Sequence, residues 1–409
     1  MAQALEGIKV LDFSQALMAP LASMMLCDLG AEVIKIEKLD GEAVRWGGIS
    51  GAKMDTINIK KEIKTESAMF MSGNRGKKSL ALDLKHELAK DIVFKLVKDA
   101  DVFLDNFRPG VMDRLGFGYD IISKINPKII YCTVTGYGDE GPLAHRRGGD
   151  MWAQAMSGVV SVQGNPDGPP YLTGAAFIDQ GGATLIAFGI LAALFSREQT
   201  GEGQWITTNS LNAAMQLQNF EISTYLLDDK LCTKQGRAGA TFTPPYGAYR
   251  AKDGDIVTIF GIGPQWPKFC KIIGLEYLVN DPRFENDKIR RKNREALYPL
   301  LDEAFSKKTM VEWQQIFREA RMRVDPCLNY KQLIEHPQVE ANDMLTTVEH
   351  PVRGDLKMVG VPVKLKKTPG KPQGPAPSLG QHTEKILMEI GYSKEEIYGL
   401  IDKKVVKAN

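Results

Sequence analysis

Short apolar runs alternate with amphipathic stretches through the first half of the chain. A short apolar, β-branched run is typical of a buried strand, and apolar positions spaced three or four apart are typical of a helix. The runs that predict strands are residues 8–13, 31–38, 77–84, 101–107 and 128–138. The segments that predict helices between them are residues 14–30, 86–100 and 119–127. This alternation indicates a doubly wound α/β fold with a parallel sheet and right-handed crossovers.

The alternating pattern of predicted strands and helices ends near residue 227. Residues 246–260 predict a β-hairpin with its turn at residues 252–255, and helical segments follow as far as Met322. We therefore predict a large α/β domain over residues 1–226 and a smaller α+β domain over residues 227–322. Residues 323–409 contain an extended strap rich in proline and glycine and end in two short helices.

Composition and charge argue against several classes of function. The chain has 409 residues and a formal net charge of +2, which argues against nucleic-acid binding. Its five cysteines are scattered and form no CxxC pair, so we predict no metal or disulfide framework and expect a cytoplasmic location. A charge precedes any long apolar run at the N-terminus, which is not typical of a signal peptide. The most apolar run, residues 183–195, is shorter than the ~20 residues that span a bilayer, so we expect no membrane contact.

An isolated acid, Asp179, precedes this apolar run and is followed by Gly181 and Gly182. The pattern places Asp179 at or just before the N-terminus of a helix. One interpretation is an N-cap, whose carboxylate accepts hydrogen bonds from the free N–H groups of the first turn. The other is a nucleophilic carboxylate, which needs backbone N–H donors nearby and shielding from water. The local pattern leaves both interpretations open.

Basic residues follow the predicted strands at their carboxyl ends, where ligands of doubly wound sheets bind. Each alone is typical of a solvated surface, but together they suit a small polyphosphate ligand, because Arg and Lys form charge-assisted bonds with phosphate oxygens. Pro109 and Gly110 predict a turn that aims Arg108 into the crevice. A second acid, Asp150, is a candidate partner for Asp179, although their sequence separation does not show that they meet. The basic residues are Lys38, Arg45, Arg75, Lys85, Arg108, Arg114, Arg146 and Arg147.

Residues 136–141 match the pattern G-x-G-x-x-G of dinucleotide-binding loops. Pro142 and several polar residues follow this motif, instead of a helix whose N-terminus could hold a pyrophosphate. We interpret the motif as a turn. No spacing in the chain suggests a Ser-His-Asp or Cys-His catalytic arrangement.

Seven stretches, in order along nearly the whole chain, resemble the class III CoA-transferase family, which includes formyl-CoA transferase and carnitine CoA-transferase. The stretches are LDFSQALMAP (11–20), LGAEVIKIE (29–37), LDLK (82–85), DNFRPGVMDRLGFGYD (105–120), TGYGDEGP (135–142), FIDQGGATLIAFGILAALFSREQTGEGQ (177–204) and PSLGQHTEKIL (377–387). The resemblance implies a Rossmann-like large domain built from both chain ends, to which residues 323–409 return, and an interlocked, ring-like homodimer. It also implies CoA transfer from an acyl-CoA to a carboxylic acid, with CoA as co-substrate and no permanently bound cofactor.

The resemblance also implies site residues. It assigns the nucleophile to Asp179, whose attack on the thioester gives a mixed aspartyl anhydride, with backbone N–H groups near Gly181 and Gly182 holding the oxyanion. Arg147 and Asp150 correspond to the loop that flanks the thioester. The residues expected to contact CoA are Gln15, Ala16, Leu17, Met18, Lys38, Leu82, Lys85, Asn106, Phe107, Arg108, Arg114, Arg147 and Asp150.

The chain departs from the family pattern at two places. The racemase branch carries a histidine base directly before the acid that corresponds to Asp150, and this chain has Gly149 there. A 2-methylacyl-CoA racemase is therefore a less favoured alternative, as is a non-catalytic CoA-binding homologue, which need not keep Asp179. The glycine-rich insertion of formyl-CoA transferase is absent, which brings the chain nearer to the carnitine type. Residues 261–265 (GIGPQ) could line the acyl pocket or form a turn, and we favour the turn.

Overall fold

The computed structural model describes residues 2–49, 52–53, 66–239, 243–254, 256–259 and 263–409. Within these ranges the strands are β1 (Lys9–Asp12), β2 (Glu32–Glu37), β3 (Gly48–Ile49), β4 (Ala52–Lys53), β5 (Lys78–Leu82), β6 (Val102–Asp105), β7 (Ile130–Thr135), β8 (Gln204–Asn209), β9 (Gly247–Arg250), β10 (Ile256–Ile259), β11 (Val324–Pro326), β12 (Leu345–His350), β13 (Gly354–Val359) and β14 (Val406–Lys407). The α-helices are α1 (Met18–Asp28), α2 (Ala68–Asn74), α3 (Leu88–Lys98), α4 (Val111–Leu115), α5 (Tyr119–Ile125), α6 (Asp150–Met156), α7 (Phe177–Thr200), α8 (Ser210–Gln216), α9 (Asn219–Asp228), α10 (Trp266–Ile272), α11 (Asp287–Lys292), α12 (Arg294–Phe305), α13 (Met310–Glu319), α14 (Tyr330–Ile334), α15 (Pro337–Ala341), α16 (Thr383–Glu389) and α17 (Lys394–Asp402).

A seven-stranded sheet forms the centre of the fold, in the order β14-β5-β2-β1-β6-β7-β8. The strands from β5 to β8 in this order are parallel, whereas β14 pairs antiparallel with β5 at one edge. The predicted α/β class with a mainly parallel sheet is confirmed. From β1 the chain continues to β2 and β5 on one side of the sheet, whereas β6, β7 and β8 follow on the other side. The strand order therefore reverses between β1 and β6, and such a reversal opens a crevice at the carboxyl ends of these two strands.

Both faces of this sheet are buried, because neighbouring residues of each strand point to opposite sides. Leu11 and Phe103 pack into one hydrophobic core, together with residues of α3, α5, α16 and α17. Val10 and Leu104 pack into a second core, together with residues of α1, α7 and α8. These layers explain why the strand sequences are almost continuously apolar.

The chain divides into two compact units. The first comprises Met1–Met156, Gly174–Leu217 and Ala341–Asn409, and it contains the seven-stranded sheet. The second comprises Ser157–Thr173 and Gln218–Glu340. It contains the antiparallel sheet β11-β10-β9 and an aromatic core that includes Phe269, Phe305 and Trp313. The domain limits at residues 226 and 322 that the sequence suggests stay predictions.

The structure tests the predictions for the hairpin, the strap and the GIGPQ segment. The hairpin predicted over residues 246–260 corresponds to the antiparallel pair β9–β10, although Asp255 in its turn lies outside the described residues. Residues 323–409 also form the hairpin β12–β13, which the strap prediction does not include. In the GIGPQ segment, Gly263–Gln265 form a 3-10 turn, whereas residues 261 and 262 lie outside the described ranges.

The helix α7 is long and apolar enough to cross a membrane when judged by length and composition alone. It packs instead into the second core of the first unit, where Ile178, Ile186 and Ile190 are buried. Gly201 ends the helix in the left-handed conformation (φ 75°), which glycine adopts without strain. As predicted, the most apolar run of the chain lies within a core helix.

A buried ion pair lies beneath the carboxyl end of β1. The ammonium group of Lys77 donates to Asp12 Oδ2 (2.8 Å), to the carbonyl of Pro20 (2.9 Å) and to Asn74 Oδ1 (2.8 Å). Burial alone raises the pKa of Asp12, but the charges of Lys77 and Lys35 outweigh it and lower this pKa to about 2. Burial in turn lowers the pKa of Lys77 to about 8. Both charged groups are shielded from water, so each is stabilised by the opposite charge of the other.

We expect Lys77→Met to lower the free energy of unfolding by about 3–5 kcal/mol, because the variant leaves the Asp12 carboxylate buried without its cation. Urea unfolding of wild type and variant at pH 7 measures this loss. The double variant Asp12→Asn with Lys77→Met serves as the control and should recover part of the stability. A single variant as stable as the wild type would contradict the assignment.

Candidate active site

A cavity of about 250 Å³ lies outside the carboxyl ends of β1 and β6, where the strand order reverses. We call it the switch-point cavity, and all of its lining residues belong to the first unit. Ligands of doubly wound sheets bind at such a position. The lining residues are Gln15, Ala16, Leu17, Met18, Asn106, Phe107, Arg108, Pro109, Val134, Thr135, Gly136, Ala144, Arg146, Arg147, Gly148, Gly149, Asp179 and Ser210.

Two loops of the cavity are joined by a reciprocal pair of hydrogen bonds. The side-chain oxygen of Asn106 accepts from the N–H of Gln15 (2.8 Å), and its amide nitrogen donates to the Gln15 carbonyl (2.7 Å). The carboxylate of Asp105 accepts from the N–H of Phe107 (3.0 Å), which fixes the turn after β6. This turn presents Arg108 to the cavity, as the sequence predicts.

The structure brings Asp150 and Asp179 together at the N-terminus of α7. Asp150 Oδ1 accepts from the N–H groups of Ile178 (2.9 Å) and Asp179 (3.1 Å), and its Oδ2 accepts from the side chain of Gln154 (2.5 Å). The N-cap position itself is Ala176, which provides no side-chain cap. The N-cap interpretation of Asp179 is therefore wrong, because Asp179 lies inside the first turn and the carboxylate of Asp150 takes that role from another helix.

The carboxylate of Asp179 has an unusual electrostatic environment. Burial raises its pKa, the nearby charge of Asp150 adds to the effect, and together they bring the pKa to about 7. Within the described residues, no group donates a hydrogen bond to this carboxylate. A carboxylate that lacks donors and faces a cavity is reactive when it is ionised, and such perturbed acids cluster at functional sites.

Gly181 and Gly182 lie on α7 beyond its first turn. In an α-helix their N–H groups point to the carbonyls four residues earlier. Their lack of side chains permits close packing: a Cβ on Gly182 would lie 2.1 Å from Met18 Cε, and one on Gly181 would lie 2.7 Å from Leu217 Cδ1. The role of these glycines as oxyanion donors stays a prediction, whereas their packing role is visible only in the structure.

Nine of the residues that the resemblance assigns to the site line the switch-point cavity. Asp150, Gly181 and Gly182 lie in or against the start of α7 beside Asp179, and the other four lie outside the cavity lining. Leu82 is fully buried in the core, so its side chain is not available to a ligand. Lys38 pairs with Asp40 (3.1 Å) on an exposed surface. Lys85 and Arg114 are exposed outside the cavity lining. Their contacts with CoA stay predictions.

Two of the basic residues that the sequence offers as phosphate ligands are used in buried ion pairs. The guanidinium of Arg45, which is fully buried, contacts the carboxylates of Glu37 and Glu66. Arg75 pairs with Asp28 at 2.6 Å and is also buried. The expectation that these two arginines face a ligand is wrong, because their charges are already balanced inside the protein.

Three other arginines keep their charge available to the cavity. Arg108, Arg146 and Arg147 line it and form no ion pair with any residue that the structure describes. The loop that carries two of them reaches the sheet through a close backbone contact, since a Cβ on Gly148 would lie 2.2 Å from Gly136 Cα. No α-helix begins between the described residues 136 and 149, so the G-x-G-x-x-G motif is a turn, as predicted.

The sequence analysis does not single out the cavity residues Thr135 and Ser210. Both follow or end strands of the sheet, β7 and β8, and that position is the only signal that could have indicated them. Together with the arginines and Asp179, they form a polar crevice with excess positive charge. Such a crevice suits a ligand that carries phosphates and a carbonyl group near an acid.

The comparisons with known proteins show the family to which this chain belongs. The family model described as CoA-transferase family III matches residues 5–383, and the chain therefore belongs to this family. The mouse protein named succinyl-CoA:glutarate CoA-transferase is 36% identical over 388 residues, which are 94% of this chain and 86% of that protein. The formyl-CoA:oxalate CoA-transferase of Streptomyces coelicolor is 33% identical, and the match covers 97% of both chains.

The solved structures show the same relation. The crystal structure of a CAIB/BAIF family protein from Brucella suis matches with a TM-score of 0.84 and 29% identity. The match covers 95% of this chain and 100% of the Brucella chain. The resemblance found in the seven sequence stretches is thus confirmed, together with the parallel-dominated α/β fold. CoA-transferase chemistry is the activity by which the family and these relatives are named.

We expect Asp179→Asn to stabilise the protein, and more at pH 8 than at pH 5. The folded protein binds the Asp179 proton more tightly than the unfolded chain does, since the pKa rises from 3.8 to about 7 on folding. The wild type therefore loses stability as the pH rises between these two values, by roughly 2–4 kcal/mol in total. Urea unfolding at both pH values measures the difference. An equal gain at pH 5 and pH 8 would contradict the raised pKa.

Proposed function

We propose that this protein transfers CoA from an acyl-CoA thioester to a carboxylic acid through an anhydride on Asp179. The observation that carries the proposal is the Asp179 carboxylate, which faces the switch-point cavity without a hydrogen-bond donor among the described residues. Transfer of CoA between two carboxylic acids without hydrolysis of the thioester needs an intermediate as reactive as the thioester, and attack by a carboxylate gives such an intermediate, an anhydride.

CoA binding uses the positive charge of the cavity. The charges of Arg108, Arg146 and Arg147 attract the phosphates of CoA towards the site, and the backbone of Gln15 and its neighbours lines the same cavity. The cavity volume of about 250 Å³ is small for a ligand site, so it holds the reacting end of the acyl-CoA and the remainder extends outwards. Lys38, Lys85 and Arg114 are proposed to contact the parts of CoA that lie outside the cavity.

The first step is attack of the Asp179 carboxylate on the thioester carbonyl carbon. A C–O bond forms, the C–S bond breaks, and CoA leaves as the thiolate, so that the acyl group remains as a mixed anhydride. The oxyanion of the tetrahedral intermediate requires N–H donors. The N–H groups near Gly181 and Gly182 are one proposed set, although the N–H groups of the two glycines themselves point to carbonyls one turn earlier in α7. The N–H groups at the start of α1 are a second set, since the first turn of a helix has no internal acceptor for them and Met18 lines the cavity.

Exchange of the acids follows from the same chemistry. The CoA thiolate attacks the carbonyl carbon of Asp179, which releases the first acid and leaves an aspartyl thioester. The acceptor carboxylate attacks this carbon in turn, regenerates the thiolate and forms a second anhydride. The thiolate then takes the new acyl group, and Asp179 returns as a carboxylate. Water would hydrolyse either anhydride, and the partly buried position of Asp179 limits its access.

The substrate class is an acyl-CoA with a carboxylic acid acceptor. The relatives are named for different acids, among them glutarate, oxalate and (R)-2-hydroxy-4-methylpentanoate. The site described here shares with all of them only the need for a thioester and a carboxylate. We therefore propose the reaction type and leave the acid to a substrate screen.

A homodimer is part of the proposal. Large apolar side chains are exposed on α9, where Phe220, Leu226 and Leu227 are between 62% and 83% exposed. Exposed apolar surface of this extent is typical of protein–protein contacts. The cytoplasmic location stays a prediction.

The racemase alternative receives no support from the loop that precedes Asp150. Gly149 has φ 150°, and a Cβ at this position would lie 3.0 Å from the ring of Trp152. A histidine base therefore does not fit here without movement of the tryptophan. Loss of the 2-proton to deuterated solvent, without any acceptor acid, would distinguish a racemase from a transferase.

We expect incubation with acyl-CoA followed by hydroxylamine to convert Asp179 into a hydroxamate, which mass spectrometry of the intact protein and its peptides detects. Asp179→Ala should abolish both the adduct and CoA transfer. Asp120→Ala is a matched control, since Asp120 is also a first-turn helical acid but is exposed on α5. Transfer activity of the Asp179→Ala variant comparable to that of wild type would overturn the mechanism.

We also expect adduct formation at low acyl-CoA concentration to accelerate as the pH rises through about 7, because only the ionised Asp179 attacks. Asp150→Asn keeps an oxygen for the N–H groups of α7 but removes the charge, so the midpoint should move to lower pH. Single-turnover rates between pH 5 and pH 9 measure both profiles. An identical midpoint in wild type and variant would show that Asp150 does not influence Asp179.

A further inference from the structure

In the loop between β1 and α1, residues 13–17, several backbone groups form hydrogen bonds with side chains from other parts of the chain. Ser14 donates its N–H to Asp12 Oδ1 (2.9 Å), and its carbonyl accepts from Lys35 Nζ (2.8 Å). Gln15 has both of its backbone groups bound by Asn106. The side chains of Gln15 and Ala16 are exposed and line the switch-point cavity. The loop therefore presents two side chains to the cavity and anchors its backbone on the other side.

Ala16 has an uncommon backbone conformation. Its φ is 68°, in the left-handed region that residues with a side chain rarely adopt. Such a conformation persists only where the surroundings enforce it, and it is frequent at functional sites. The N–H of Ala16 donates to Glu42 Oε2 at 2.7 Å.

Glu42 connects this N–H to a buried cation. Only 3% of the Glu42 surface is exposed, and its Oε1 lies 2.8 Å from the fully buried ammonium of Lys35. Burial alone lowers the pKa of Lys35, but the charges of Glu42, Asp12 and Glu37 raise it above its ordinary value, so the lysine remains charged. Lys35 also binds the carbonyl of Ser14, which closes a ring of contacts from Ser14 through Lys35 and Glu42 to Ala16.

We propose that Glu42 is a positioning residue for the active site, which holds Ala16 in its left-handed conformation and so fixes the loop 13–17 against the CoA thioester. The proposal rests on the function proposed above. It requires no contact between Glu42 and the substrate. The two carboxylate oxygens have two different neighbours, because Oε2 accepts from the N–H of Ala16 and Oε1 lies beside the ammonium of Lys35, so both the length and the charge of the side chain are needed.

The first test is Glu42→Asp, which keeps the charge for Lys35 but shortens the side chain by one methylene. The shorter carboxylate does not reach Lys35 and the N–H of Ala16 together. We expect kcat/KM for CoA transfer and the affinity for CoA alone to fall about 10- to 100-fold, since a displacement of ~1 Å has this effect on a positioned site. Calorimetric titration with CoA gives a readout that does not depend on transfer chemistry.

Glu66→Asp is the matched control. Glu66 is similarly buried and pairs with Arg45 (3.2 Å) and His350 (3.7 Å), but it does not contact the loop 13–17. It should lose stability to a similar degree and retain both kcat/KM and CoA affinity within about twofold. If Glu42→Asp does not fold, Glu42→Gln is the second variant, because its amide keeps the length but has one acceptor in place of two.

A rescue experiment separates positioning from stability. Glycine adopts a φ near +68° without strain, so Ala16→Gly in the Glu42→Asp background should recover at least about fivefold in kcat/KM, without an equal gain in thermal stability. The proposal is overturned if Glu42→Asp matches the wild type, if Glu66→Asp loses as much activity, or if Ala16→Gly gives no rescue. A wild type that neither binds CoA nor forms the Asp179 hydroxamate would refute the proposed function instead.

Discussion

The carboxylate of Asp150 accepts hydrogen bonds from the N–H groups of Ile178 and Asp179 at the start of α7, and in the part of the chain that the structure describes no group donates to the neighbouring Asp179 carboxylate. The two acids therefore have different environments although they lie close together. Asp150 accepts hydrogen bonds from two backbone N–H groups and from Gln154, whereas Asp179 meets burial and a like charge, and both effects raise the pKa of Asp179. The proposed roles of Asp179 as nucleophile and Asp150 as supporting acid rest on this difference. Both roles also depend on the residue at which α7 begins.

A set of buried charges supports the loop 13–17 in addition to the hydrophobic contacts of Phe13, which packs on Phe103 in the first core. Asp12, Lys35, Lys77 and Glu42 lie at or below 3% exposure, and each binds at least one other member or a backbone group of the loop 13–17. Buried ion pairs add little net stability, because desolvation of the charges offsets their attraction. Their directional hydrogen bonds, however, favour one conformation of the loop. A residue with a strained backbone, such as Ala16, keeps its conformation only with such support.

Sequence reasoning succeeded where the signal is local. The apolar runs predict β1, β2 and β6 correctly, because a buried strand consists mainly of consecutive apolar residues. Asp179 is identified as a candidate because most residues of the stretch around it are apolar or glycine. It failed where the partner is distant in sequence. Arg45 and Arg75 look like solvated charges until their carboxylate partners, Glu66 and Asp28, are brought to them by the fold. Asp150 lies 28 residues before the backbone groups it caps, and no pattern connects them.

The edge strand β14 pairs with β5, so the central sheet combines residues near 80 with residues 406–407. During synthesis, this edge of β5 stays open until residues 406–407 have left the ribosome. The second unit, which ends at Glu340, has all of its residues available much earlier. Synthesis from the N-terminus therefore favours an order in which the second unit folds before β14 joins the seven-stranded sheet. Until then β5 is an exposed sheet edge, and at such an edge nascent chains can associate incorrectly.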